Sequence, residues 1–196
     1  MNSTRLRLVL GSMLLAAITI PASAGVVYTQ VNVSIPINSY YNIDLNRDGQ
    51  IDFTLRSAFL QTSCDAGDEY FWFLNVVPGT GAAVVTARTP ALGYASALPT
   101  GTVVGPDSNF SSRTATMAEM FWGACGSGTE GAWLGLPDRY LGLRVTDGDE
   151  QIHYGWAKIS TAAYVDESGA LHTSTFISGF AYQSLPHQPI LTGLSD

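Results

Sequence analysis

The residues of this chain best suited to chemistry lie in one stretch, Asp44-Leu45-Asn46-Arg47-Asp48-Gly49-Gln50-Ile51-Asp52-Phe53, where oxygen-bearing side chains occupy loop positions 1, 3, 5 and 9. That is the spacing of a calcium loop. Calcium is a hard cation that takes about six to eight oxygen ligands, and alternate residues of a tightly turning loop point inward to supply them. Asp44, Asn46, Asp48 and Asp52 are the side-chain candidates, Gln50 at position 7 offers its backbone carbonyl, and Gly49 at position 6 permits the bend. Ile51 at position 8 is expected to turn into the protein and tie the loop to the core. The competing reading is an ordinary hairpin turning at Asp48-Gly49. It would pair Leu45 with Asp52 and Asp44 with Phe53, mixing acidic and apolar residues on each face. Three aspartates within nine residues also repel one another unless a cation balances them.

Position 12, where an EF-hand carries a bidentate glutamate, is Leu55, and Phe53-Thr54-Leu55-Arg56 continues as a strand. An EF-hand is therefore excluded. The loop resembles the D-x-N-x-D-G-x-x-D loops of dockerins, thrombospondin type 3 repeats and many secreted β-domain proteins. In those the remaining ligands come from elsewhere or from water, and here Asp65, Asp68 and Glu69 are the candidates nearest in sequence. Calcium is the one cofactor expected, in a structural rather than a sensing site.

Other reactive residue types are sparse. Cys64 and Cys125 are expected to form a disulfide, because the chain reads as exported to an oxidising compartment. Buried thiols and a metal site are the alternatives, and the lack of a neighbouring histidine argues against zinc. His153, His172 and His187 show no His-x-x-x-His or His-Glu spacing, and His153 is expected to pack beside aromatic residues. Neither a Gly-x-Ser-x-Gly elbow nor a Gly-x-x-x-x-Gly-Lys loop is present. A glycosidase would need two carboxylates about 5 to 9.5 Å apart. Glu69, Glu119 and Glu130 could be placed so by a fold, but nothing in the sequence brings any two together. The chain is accordingly not expected to be an enzyme. Of the tryptophans, Trp72 and Trp156 sit in strand patterns that imply burial. Trp133, between Gly131 and Gly135, is the candidate ligand-stacking aromatic and is expected to be exposed.

The elements that must carry these residues read as strands. The chain is rich in Val, Thr, Tyr, Phe and Trp, and Gly or Pro interrupts it at short intervals. Gly25 to Ile37 alternates in part and, with Pro36 at its end, reads as an edge strand. Tyr70 to Val77 is apolar on both alternating faces, which predicts a central strand covered on both sides. Thr114 to Trp122 is a helical turn or a strand, and periodicity does not decide. Residues 78–109 read as short edge strands and long loops. Arg139 to Ile159, with alternation on both sides of Asp147-Gly148, is the clearest hairpin, its acidic loop longer than two residues. The predicted fold is all-β, an antiparallel two-sheet β-sandwich, jelly-roll-like, with long loops and the calcium loop near the N-terminus.

A length of 196 residues with 46% apolar content suits one core. Residues 1–24 read as a signal peptide: Arg5 and Arg7, an apolar run from Leu8 to Ile18, then Ala22-Ser23-Ala24. The run is short for a membrane anchor. Residues 25–196 are then a single β-sandwich domain. Removing the two arginines moves the formal charge from -7 to -9, which disfavours nucleic acid and suits divalent cations.

Several segments fall in a recurring order: the acidic loop, Tyr140-Leu141-Gly142-Leu143-Arg144, His153-Tyr154-Gly155-Trp156, then Ala181-Tyr182-Gln183 and Pro189-Ile190-Leu191-Thr192-Gly193. In that order the chain resembles a poorly characterised group of exported bacterial proteins, many with a C-terminal sorting tail of the PEP-CTERM kind. The resemblance implies export and no established activity. No Pro-Glu-Pro, apolar span and basic end follow here, which favours a freely secreted or surface-associated product without a membrane anchor. The expected role is that of a secreted, calcium-stabilised, structural or matrix-type protein. A carbohydrate-binding module is the alternative and a glycoside-active enzyme the second, with extracellular polysaccharide or matrix components as candidate partners.

Overall fold

The computed structural model describes residues 25–87 and 93–195, so residues 1–24, read above as a signal peptide, lie outside the described residues. In chain order the strands are β1 (Val26–Ser34), β2 (Ser39–Ile43), β3 (Phe53–Cys64), β4 (Gly67–Pro78), β5 (Ala83–Val85), β6 (Val103–Val104) and β7 (Phe110–Ser111). They continue as β8 (Ala115–Gly123), β9 (Gly126–Gly131), β10 (Leu136–Thr146), β11 (Ile152–Val165), β12 (Leu171–Gln183) and β13 (Ile190–Leu191). One sheet runs β1-β12-β11-β10-β5-β7, and the other runs β2-β3-β4-β8-β9. The short pair β13-β6 stands apart. Every ladder between the described strands is antiparallel, with one isolated parallel bridge at Tyr94–Thr116, and the two sheets face each other as a β-sandwich. Sequence neighbours are mostly neighbours in space: tight turns join β3-β4 and β8-β9, short loops join β10-β11-β12, and the acidic loop joins β2 to β3.

The expected strands are present. β1 is an edge strand, and Thr114 to Trp122 resolves as strand β8. The β10–β11 hairpin turns through Asp147 to Gln151, where Asp147 N–H donates to Gln151 O at 3.0 Å. Between residues 78 and 109 the described residues contribute only short strands and bridges.

The main core is built by both sheets. Leu55, Trp72, Leu74, Val76 and Met117 from the second meet Leu141, Leu143, Ala157, Ile159 and Ile177 from the first. The Trp72 indole N–H donates to the buried Ser57 hydroxyl at 3.0 Å, so its polar atom is satisfied inside. The first sheet also carries a second cluster on its other face, where Tyr140, Tyr154, Trp156 and Ala181 pack with Val104 and Ile190 of the β6–β13 layer. It is therefore covered on both sides, which is why the middles of β10 and β11 are buried on both faces although their sequence alternates.

Among the described residues, the second sheet is covered on one side only. β4 is central in strand order, but Phe71 and Phe73 point away from the core and are half-buried, while Trp72, Leu74 and Val76 point in. The expectation that β4 is covered on both faces is thus corrected. Its outward phenyl rings shelter one another across the sheet surface instead of lying under another layer.

Candidate functional site

The acidic loop joins β2 to β3, closed by the Ile43–Phe53 pair and by Asp52 N–H donating to Ile43 O at 2.9 Å. Its side chains fold inward onto the loop's own amides. Asp44 accepts from Asp48 N–H at 3.1 Å through Oδ1 and from Gly49 N–H at 2.9 Å through Oδ2. Asn46 Oδ1 accepts from Asp48 N–H at 3.2 Å, Asn46 Nδ2 donates to Asp48 Oδ2 at 3.0 Å, and Asp48 Oδ1 accepts from Gln50 N–H at 2.8 Å. Arg47 and Gly49 have φ of 61° and 89°, the left-handed conformations that let the chain turn so tightly, and glycine takes the second without strain.

Asp52 is the buried member, 6% exposed, with Oδ2 accepting from Leu45 N–H at 2.7 Å. Burial pushes its carboxyl up to about 6, the charges of Asp48 and Asp44 add to this, and the Leu45 and Asn46 amides oppose it. No ion pair among the described residues supplies Asp44, Asp48 or Asp52 with a cation. Arg47, the basic residue of the loop, donates instead to Thr29 Oγ1 of β1 at 2.8 Å. The residue types suit a hard divalent cation, oxygen donors at alternate loop positions, but their oxygens here accept from the loop's own amides, and Asp44, Asp48 and Asp52 do not bring three carboxylates within 4.8 Å of one another.

Two expectations about this loop are corrected. Ile51 is 48% exposed, and Leu45 at position 2 is the residue that enters the core, lying against Gly155 of β11. Leu45 and Arg47 thus tie the loop to the first sheet while β2 and β3 tie it to the second. Asp65, Asp68 and Glu69 cannot complete the site. They follow the far end of β3, whose 12 residues at about 3.3 Å each separate them from the loop by roughly 35 Å.

Glu69 serves elsewhere. Cys64 and Cys125 form the expected disulfide, with Cα atoms 6.4 Å apart, joining the tips of the β3–β4 and β8–β9 hairpins. Glu69 is buried beside it and accepts from Cys125 N–H at 3.0 Å. The Cys64–Glu69–Cys125 grouping has the proximity of a metal site, but its sulfurs are spent on each other.

Trp133 is a correction. It is fully buried, its indole N–H donating to Ala95 O at 3.0 Å, because the glycine-flanked turn after β9 folds back under the 94–98 segment. A buried ring cannot stack on a ligand. Trp122 is half-buried and packs with Tyr70 and Phe59 at 5.7 and 6.1 Å, beside a cavity of about 370 Å³ between the sheets. His153 Nε2 lies 3.1 Å from Asp147 and Nδ1 2.9 Å from Gln183 O, with the ring packed edge-on to Tyr182. His172 pairs with Asp166 at 2.8 Å and stacks on Tyr164. Each of these histidines fastens a hairpin turn.

One grouping had no signal in the sequence. On the outward face of the second sheet the ring centroids of Phe71 and Phe73 lie 5.9 Å apart with their planes nearly parallel, and Phe121 lies 6.2 Å from Phe71. Glu119 is the cross-strand partner of Phe73 on one side and of Glu130 on the other. Two carboxylates named separately in the sequence are therefore directly opposed. Tyr94 donates its hydroxyl to Glu130, and that bond pushes the Tyr94 phenol up to about 12. Glu119 is raised above the usual carboxylate range, first by burial and then by Glu130. Finding the pair required the β8–β9 register, which residue types alone do not specify.

Compared with family models, curated proteins and solved structures, the chain matches none.

Proposed function

We propose that this protein is an exported, calcium-stabilised β-sandwich with a structural, matrix-type role outside the cell. The observation that carries the reading is Asp52: a buried carboxylate, bonded to the Leu45 amide and raised by the charges of Asp48 and Asp44, in a calcium-spaced loop without a cationic partner among the described residues. A bound Ca²⁺ would balance the three aspartates and brace the junction where the loop touches both sheets. The Cys64–Cys125 disulfide supports an oxidising destination, and the basic-apolar-small order of residues 1–24 supports export. The test is a calorimetric calcium titration of the mature chain beside Asp48→Asn and Asp52→Asn. Binding that both substitutions weaken is expected, and absence of heat at millimolar calcium refutes the reading.

A carbohydrate-binding role is the second reading. It is favoured by Phe71, Phe73 and Phe121, three half-buried rings side by side on a solvent-facing sheet with carboxylates at their margin.

A further inference from the structure

We propose that the outward face of the β2-β3-β4-β8-β9 sheet binds a polysaccharide containing cationic amino-sugar units, with Phe71, Phe73 and Phe121 as the stacking platform and Glu119 and Glu130 as the ammonium acceptors. The inference rests on the carbohydrate-binding reading and gives that reading a ligand class and a place.

The platform is built rather than incidental. β4 contributes Phe71 and Phe73, β8 contributes Phe121 and Glu119, and the register sets these four in a two-by-two block, Phe71 facing Phe121 and Phe73 facing Glu119. The Phe121 ring lies over Gly128 of β9, where a Cβ would stand 2.5 Å from the ring. The missing side chain lets the half-buried phenyl group settle against the strand. Glu130 completes the margin beside Glu119, held by the Tyr94 hydroxyl.

The charges choose the ligand. Like charges directly opposite on neighbouring strands destabilise a sheet, and no Lys or Arg among the described residues is paired with either glutamate. A neutral glycan could stack on the rings but would leave this repulsion in place. An amino sugar brings an apolar ring face for the phenyl groups and an ammonium that both carboxylates and the negative faces of the rings attract. A chain with a formal charge of -7 draws a cationic polymer toward the same patch.

The test measures retention of the mature protein on a β-linked glucosamine polymer, on its fully N-acetylated counterpart, on a neutral β-glucan and on poly-lysine, at pH 6 and low salt. The glucosamine polymer should bind best. Glu119→Gln with Glu130→Gln should weaken that binding about tenfold, as the loss of two partly exposed ion pairs allows. Phe121→Leu, which keeps apolar bulk and removes the π face, should weaken it as well. Asp149→Asn with Glu150→Gln removes the same charge from the β10–β11 turn and should bind as the unaltered protein does. Melting curves establish that each variant folds, and Phe71→Leu replaces any that does not. Equal binding of the free and acetylated polymers, unchanged by the glutamine variants, overturns the amino-sugar assignment and leaves the carbohydrate reading standing. Binding to no glycan overturns both. Equal retention on poly-lysine, or a loss caused by Trp122→Ala and not by Phe121→Leu, also overturns the assignment.

Discussion

Replacing both Cys64 and Cys125 by alanine should cost the protein about 4 kcal/mol of stability. The disulfide spans 61 residues, and in the chain-entropy model a closed loop of that length removes about 14 cal/mol/K from the unfolded ensemble, hence about 4 kcal/mol at 25 °C. Little native strain opposes this gain. The bridge joins two hairpin tips that the sheet already holds together, because β4 and β8 pair up to Glu69 and Gly123 and the hairpins close at Cys64–Gly67 and Gly123–Gly126. Cys125 N–H also keeps its bond to Glu69 when the sulfur is removed. For a domain of this size the loss corresponds to roughly 8 to 16 °C in Tm. Urea denaturation of the unaltered protein, with and without reductant, and of the double alanine variant measures it. The m-value should rise when the bridge is absent, since the freed unfolded chain exposes more surface. Coincident midpoints for the oxidised protein and the double variant would refute the reasoning, as would a fall in m.

Two further perturbations test the placement of individual side chains. Trp133→Ala should destabilise by about 3 to 5 kcal/mol in urea, whereas an exposed ligand-stacking ring would lose almost nothing. Trp133→Phe, which keeps most of the volume and leaves Ala95 O without its donor, should cost about 1 to 3 kcal/mol. For Glu119 the sign follows from its raised folded-state pKa: the folded chain holds that proton more tightly than the unfolded chain, so the ionised group subtracts stability at neutral pH, and the penalty fades as pH falls through the folded value. Glu119→Gln should therefore raise Tm at pH 7 and lose its advantage toward about pH 4, which a series of melts across that range would show.

The sequence was most legible where local chemistry decides the outcome. The Asp147-Gly148 hairpin, the disulfide in a chain with two cysteines, and the inward-turning oxygens of the Asp44–Asp52 loop follow from residue types at short spacing. It was least legible where a third element decides. Tyr70 to Val77 is apolar on both faces in sequence, yet only the stacking order shows that, among the described residues, the outer face of its sheet has no covering layer while the first sheet has the β6–β13 layer. Trp133 looked exposed because it stands among glycines, and the 94–98 segment that buries it comes from almost forty residues earlier in the chain. Within the loop, Leu45 and Ile51 are equally apolar, and the position of Gly155 across the sandwich selects Leu45 for the core. The Glu119–Glu130 opposition depends on the register fixed at the Gly123–Gly126 tip, information carried by a turn rather than by the glutamates.

The central claim, that the Asp44–Asp52 loop holds calcium, is tested most directly by thermal melts of the mature chain in 10 mM calcium and in chelator, with Asp48→Asn alongside. With a Kd of about 10⁻⁴ to 10⁻³ M, as is common for extracellular modules, 10 mM calcium stabilises the fold by about 1.4 to 2.7 kcal/mol, or roughly 3 to 10 °C in Tm. The account predicts a shift of that size in the unaltered protein and its loss in Asp48→Asn. Superimposable melts of the unaltered protein in calcium and in chelator would contradict it.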